Sequence, residues 1–347
     1  MQATRNNPYG VIPPHLLNYL IENGNDHHRR CALNTLTLDA RFRARTERHT
    51  APTDARQGRP GEPLRYIFDA HNAMELPGHQ VRREGQSDTG DEAVDEAYDD
   101  LGATYRFFWE ILERNAIDSK GGALLGTVHY GEEYQNAFWN GYQMVFGDGD
   151  GEIFLSFTRA LDVVAHELMH GITERESGLV YYNQPGALNE SVSDVFGVMV
   201  AQFNAGLRVE DADWSIGRAL LAPGINGTGL RSMSHPGTAY DDPLLGRDPQ
   251  PGHMRDFVET NEDNGGVHIN SGIPNRAFYL AAMALGGYSW ERAGRVWYDT
   301  LLDKRLANDA EFTDFARLTL DHADRLFEGN EVLNAVREGW RGVGVDV

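Results

Sequence analysis

Leu161-Asp162-Val163-Val164-Ala165-His166-Glu167-Leu168-Met169-His170 is the stretch on which the reading of this chain turns. Its first five residues supply an apolar helical face that buries one side of the helix. Histidines at i and i+4 share a face about 6 Å apart, so both imidazoles reach one metal ion. Glu167 follows the first histidine, which aims its carboxylate at a water held by that metal. Zinc suits two neutral imidazoles plus a carboxylate and keeps a fourth position open for catalysis. Downstream, Ala187-Leu188-Asn189-Glu190-Ser191-Val192-Ser193-Asp194 opens a second apolar helical run. Acids there would be ordinary at a helix N-terminus. Beside the upstream motif, Glu190 becomes the natural third ligand. Asp194, one turn later on the same face, accepts a proton from a ligand histidine and fixes its tautomer.

Outward from this pair of helices the texture divides. Residues 11–22 read as a short helix opened by prolines and stopped at Gly24, with a second helix from Cys31 to about Leu38. Residues 45–63 have no apolar period and describe a linker, a suitable cleavage region. Leu64, Tyr66 and Phe68 alternate as a strand, and residues 92–116 show a helical stripe through Leu101, Tyr105, Phe108 and Leu112. Strands are expected over 123–130, 142–146 and 152–157, separated by turns such as Gly147-Asp-Gly-Asp-Gly151. From residue 160 onward helices dominate, ending with the period of Val332, Leu333, Val336 and Trp340. The expectation is an α+β chain: residues 1–50 a short helical segment, 51–160 β-rich, 161–347 α-helical, with the metal site in the cleft between the last two.

Composition narrows the function classes. The 347 residues are 41% hydrophobic and 24% charged, which fits a globular protein with real cores. A net charge of −21 repels nucleic-acid phosphates and anionic lipid headgroups, so neither nucleic acid nor membrane is an expected partner. No apolar run reaches the roughly 18 residues that a membrane span needs. Cys31 is the only cysteine, so no intrachain disulfide forms. The first fifty residues hold seven arginines and four acids, +3, leaving 24 basic and 48 acidic groups, −24, in the rest. That split suggests a basic segment docking on its own acidic body. The first ten residues lack the apolar core of a secretory signal peptide. The expected location is therefore the cytoplasm, or the exterior by a route without a classical signal. Nothing demands more than a monomer.

At this point the chain resembles the thermolysin-like zinc metallopeptidases, the bacterial neutral proteases, from Leu64 to Val347. The resemblance rests on Asn136-Ala-Phe-Trp-Asn-Gly141, Val163–His170, Gly186–Asp194, Leu230-Arg-Ser-Met233 and Asp263-Asn-Gly-Gly-Val-His268. Ile12-Pro-Pro-His-Leu16 followed by Arg29-Arg-Cys-Ala32 is similar to the short propeptide of the protealysin-like subgroup. Other enzymes with the same two-histidine motif do not fit. Metzincins place Gly at 173 and His at 176, where this chain has Thr173 and Glu176. The related aminopeptidases carry a Gly-Ala-Met-Glu-Asn-like block that is absent here.

The resemblance implies the thermolysin fold and a zinc endopeptidase made as a zymogen. His166, His170 and Glu190 match the family's zinc ligands and Glu167 its general base. Tyr181 and His268 match the donors that stabilise the tetrahedral oxyanion, with Asp263 orienting His268. Arg231 matches the arginine that grips a substrate carbonyl, a task suited to its fork of donors. Asn136 and the backbone of Ala137 match the groups that bind an extended substrate by edge-strand hydrogen bonding. Phe154, Phe157, Val163, Ile216 and Leu230 are expected to line the pocket beyond the scissile bond. Their size implies cleavage of protein or peptide substrates before bulky hydrophobic residues.

The family's paired calcium site is expected to be lost. Asp162 and Asp213 remain, but the other matching positions hold Ala201, Ser215 and Arg218, leaving room for one weak calcium at most. Cys31 is expected to act as a propeptide switch, its thiolate taking the open position on zinc. Arg29 and Arg30 would be drawn to the acidic cleft. Two other classes stay open: a catalytically silent zinc scaffold, against which Glu167, Tyr181 and His268 argue, and an exopeptidase, for which no terminus-pairing group is found.

Overall fold

A computed structural model of the chain describes residues 10–44 and 57–347; most of the expected linker lies outside that range. Gly10–Ile12 is not helical, because residues before proline favour extended backbone. Helix α1 (Pro14–Asn23) therefore starts three residues later than expected, with Pro14 in its first turn and Gly24 closing its end. Helix α2 (Asp26–Ala44) is far longer than the expected Cys31–Leu38. Asn25 starts it by accepting the backbone N–H groups of His27 and His28 at 2.8 and 2.9 Å. No Gly or Pro interrupts the helix from there to Ala44.

Five strands form one mixed sheet: β1 (Arg65–Asp69), β2 (His79–Arg83), β3 (Leu124–Val128), β4 (Ala137–Trp139) and β5 (Met144–Phe146). Their order is β2-β1-β3-β5-β4, parallel for β1 with β3 and β3 with β5, antiparallel at both margins. Strand β4 is thus an edge. The long helix α3 (Glu92–Leu112), capped by the Asp91 carboxylate, packs on this sheet. It ends before 116 because Glu113 turns left-handed at φ 53°.

The expected strand over 152–157 does not form. The Asp150 carboxylate accepts the N–H groups of Glu152, Ile153 and Phe154, which wraps the chain into a turn. Phe154 keeps one isolated bridge to Leu221, and Phe157–Arg159 is a 3-10 turn.

Beyond residue 160 helices dominate, as expected, interrupted over 206–262 by loops and short two-residue strands. Helices α4 (Leu161–Glu176) and α5 (Asn183–Ala205) form the centre of this half. They approach so closely that a Cβ on Gly197 would lie 2.4 Å from the Asp162 carbonyl oxygen. Helices α6 (Asp263–Asn270), α7 (Gly272–Leu285), α8 (Ala293–Leu302), α9 (Phe312–Leu326) and α10 (Glu331–Gly342) complete the half. Trp297 and Trp340 stack at 5.8 Å in its core.

The N-terminal segment lies against the body. Phe42 meets Phe138 at 4.7 Å, and Leu38 joins a buried cluster with Tyr130, Tyr134 and Val145. Thr35 accepts the Gln135 N–H at 2.9 Å, and Asn34 donates to the Glu132 carbonyl at 2.9 Å. Apolar burial and backbone bonding hold α2 here. Arg29 and Arg30 instead make exposed contacts with neighbours in their own segment, such as Asp26.

Candidate active site

Helix α4 presents His166 and His170, and α5 presents Glu190, at a fully buried point between the two halves. The two histidine Nε2 atoms are 3.1 Å apart. Glu190 Oε2 is 3.5 Å from His166 Nε2, and Oε1 is 3.4 Å from His170 Nε2. His166 Nδ1 lies 2.8 Å from Asp194 Oδ1, and His170 Nδ1 2.8 Å from Asn189 Oδ1. Both partners are acceptors, so each ring carries its proton on Nδ1 and turns an Nε2 lone pair inward. Burial lowers both histidine pKa values, that of His170 to about 4. Two lone pairs and a carboxylate facing one point repel unless a cation lies among them, and Glu190 Oε2 has no hydrogen-bond partner. The donor set fits zinc.

Glu167 accepts the Trp139 N–H at 3.0 Å through Oε2, while its buried Oε1 has no hydrogen-bond partner. Burial raises its pKa well above the usual carboxylate range, and Glu190 adds to the shift. Asp263, Asn264, Gly265 and Gly266 all have positive φ, a left-handed turn that two glycines make tolerable. That turn brings Asp263 onto His268: Oδ1 is 2.7 Å from Nδ1, and Oδ2 accepts the backbone N–H at 2.9 Å. Burial opposes a charged His268, but the carboxylates of Asp263 and Glu190 outweigh it and raise its pKa. The Tyr181 hydroxyl donates to Glu190 and lies 3.4 Å from His268 Nε2.

Asp194 holds other side chains besides His166. Arg231 donates to it through Nε and Nη2, both at 2.8 Å, and Asn275 through Nδ2 at 2.8 Å. Burial would raise its pKa, but Arg231 and His166 hold it well below the usual range. The remaining Arg231 nitrogen, Nη1, donates to the Val11 carbonyl at 3.2 Å. Val11 N–H donates to the Ala137 carbonyl at 3.1 Å. Ile12 N–H donates to Asn136 Oδ1 at 2.9 Å, and Asn136 Nδ2 donates back to the Ile12 carbonyl at 3.3 Å. Gly10–Ile12 thus lies along the edge of β4, where a Cβ on Gly10 would come within 2.2 Å of the Ala137 carbonyl.

Phe154, Phe157, Val163, Ile216 and Leu230 are all buried. Phe154 lies 6.1 Å from Phe157, and Leu230 N–H bonds the Ile216 carbonyl. Of the expected calcium positions, Asp162 accepts the Gly217 N–H and Asp213 is ion-paired to Arg218.

Cys31 is not at the metal centre. Its Sγ donates to Glu133 Oε2 at 3.3 Å beside His27. Burial and that carboxylate push the thiol up to about 12, so it is protonated there. The docking of α2 on β4 places Cys31 against the residues before β4, and Gly10–Ile12 occupies the cleft instead. Sequence reading also missed Asn189, Ser193, Asn275 and the Trp139 N–H. Asn189 and Ser193 sit within the quoted block, four apart, and both approach His170 Nδ1. Asn275 carries no local signal.

Residues 27–174 match the family described as thermolysin metallopeptidase, catalytic domain, and residues 177–345 its alpha-helical domain. Residues 9–37 match the protealysin propeptide. An extracellular metalloprotease of Pectobacterium carotovorum subsp. carotovorum is 60% identical, covering 97% of this chain and 96% of its own. Protease PrtS of Photorhabdus sp. (strain Az29) is 49% identical over 100% and 95%. The solved precursor of protealysin, a metalloproteinase from Serratia proteamaculans, superposes with a TM-score of 0.89 at 59% identity, covering 97% of this chain and 99% of that one.

Proposed function

We propose, from the premise that this chain belongs to the thermolysin metallopeptidase family, that it is a zinc endopeptidase held latent by its own first residues. Gly10–Ile12 carries this reading: it pairs with the edge of β4 as an extended peptide substrate would. We take residues up to about 50 as the inhibitory propeptide, with the catalytic halves meeting near residue 160.

His166, His170 and Glu190 would hold zinc, which when bound supplies a Lewis acid for the scissile carbonyl and the attacking water. Glu167 takes the water's proton on Oε1, the oxygen without a partner, and returns it to the leaving amine. His268 Nε2 and the Tyr181 hydroxyl face the same point and donate to the developing oxyanion. Asp263 fixes the His268 ring for that role. Arg231 holds a substrate carbonyl with Nη1, as it holds that of Val11, while Asp194 fixes the guanidinium. Phe154, Phe157, Val163, Ile216 and Leu230 are read as the specificity pocket, favouring cleavage before bulky apolar residues. The pairing of Asp213 with Arg218 supports the loss of a double calcium site. The names of the relatives support action outside the cell.

The test is to incubate purified full-length protein with zinc and follow intact mass and casein hydrolysis together. Loss of the first 45–60 residues or so, with rising chelator-sensitive activity, is expected. Full activity with no mass change would remove the propeptide reading. Neither mass loss nor activity despite bound zinc would favour a latent zymogen that another protease must cut, or a silent scaffold.

A further inference from the structure

Among the described residues, two clusters bring three metal-ligating side chains within 4.8 Å of one another. One is the active site. The other joins His27 and Cys31, one turn apart on α2, to Glu133 in the segment before β4. Its spacings are 3.3 Å from Sγ to Glu133 Oε2, 3.7 Å from His27 Nε2 to Glu133 Oε1 and 4.0 Å from His27 Nε2 to Sγ. Ligand atoms around tetrahedral zinc lie about 3.3–3.6 Å apart. A modest rotation of the His27 ring would close the difference.

We propose that His27, Cys31 and Glu133 form a second zinc site, which bridges the N-terminal segment to the catalytic body. Thiolate, imidazole and carboxylate together are a zinc donor set, with water as a fourth ligand. His27 and Glu133 side chains are 25% and 46% exposed, so an ion and its water can enter from solvent. Both sides of the site are already placed. Asn25 caps the His27 N–H, and Asn34 and Thr35 bond the backbone on either side of Glu133, which is itself left-handed at φ 51°. On binding, the Cys31 thiol releases its proton to solvent and the Glu133 oxygen that accepted it turns to the metal. Arg30 gives up a 3.4 Å contact to His27 Nδ1 at the exposed rim. Two ligands on one segment and one on the other make the metal a latch. The latch rests on the zymogen reading for its consequence but not for its existence.

Cobalt distinguishes the two sites, because the active site contains no sulfur. Full-length protein carrying Glu167→Gln, which keeps the chain intact, is stripped of metal and titrated with cobalt(II). The expected result is visible-region bands with one equivalent and a near-ultraviolet thiolate-to-cobalt band with the other. Cys31→Ser should abolish only the thiolate band and lower bound metal from two to one per chain. His27→Ala and Glu133→Gln should weaken the second equivalent at least tenfold. The thermal midpoint should rise with the second equivalent in the parent and not in Cys31→Ser. Absence of the thiolate band while the active-site bands show a folded protein would overturn the proposal. So would an unchanged metal count in Cys31→Ser. If the catalytically intact chain proves active without losing its N-terminus, the zymogen reading fails while the cobalt result still decides the site.

Discussion

The cluster at His166, His170 and Glu190 and the cluster at His27, Cys31 and Glu133 share one device. Each takes two ligands four residues apart on a helix and a carboxylate from elsewhere. They differ in what surrounds them. Every ligand of the first is buried and held from behind, by Asp194, by Asn189 or by Tyr181. Its two helices belong to one core, so it persists for as long as the fold does. The second is partly open and spans a seam, so it exists only while α2 rests on the body. A rigid, enclosed ligand set suits chemistry, whereas one built across a seam suits control.

The largest expected effect tests whether chemistry belongs to the enclosed site alone. Glu167→Gln should lower peptidase activity by about 10²–10⁴-fold while both clusters still bind metal. Residual activity near the parent's would remove Glu167 as the base. Next comes the role of support from behind. Asp194→Ala leaves His166 without its acceptor and Arg231 without its main partner, and should cost about 10–100-fold in active-site metal affinity. An unchanged dissociation constant, measured by competition with a chelator, would break the contrast between held and unheld ligands.

A third substitution strains the seam. A Cβ at Gly10 meets backbone at 2.2 Å, and such overpacking costs about 1–3 kcal/mol. Gly10→Ala should therefore shorten the life of the intact precursor by about tenfold in a time course of intact mass. An unchanged lifetime would show that Gly10–Ile12 does not hold the N-terminal segment down.

The fourth prediction is a pH dependence. His15 lies 3.1 Å from the Tyr240 hydroxyl, and burial lowers its pKa to about 4, with Asp263, His268 and Arg231 acting on it more weakly. An undocked His15 would titrate near 6.5. The docked state thus binds fewer protons, and docking weakens as pH falls from about 6.5 toward 4, by at most about tenfold per unit. Precursor lifetime should fall between pH 7 and 5, and His15→Leu should flatten that dependence.

Much of this was legible in the sequence because it is local. The His166–His170 spacing, the Gly24 stop and the acids at 190 and 194 each act within a turn or two of helix. The Asp150 turn was misread because the apolar run Ile153-Phe154-Leu155 looks like a strand. Three N–H groups captured by one carboxylate decide otherwise. Asn275 reaches Asp194 across 81 positions, which no local pattern announces. Cys31 failed for a similar reason. A cysteine that follows two arginines does not reveal which surface its helix will meet. Leu38 and Phe42, packing on Tyr130 and Phe138, settle that about two to three turns further along.

The segment Gly10–Ile12 has one more consequence. While it is joined to the body by the chain, its local concentration at the β4 edge is fixed by geometry and is the same in a crowded cell or a dilute medium. Mixing precursors at higher concentration therefore does not by itself displace the segment. Once the chain is cut, the same segment is an ordinary ligand whose occupancy depends on its bulk concentration. Dilution into a large volume would then complete the release, with no further chemistry required.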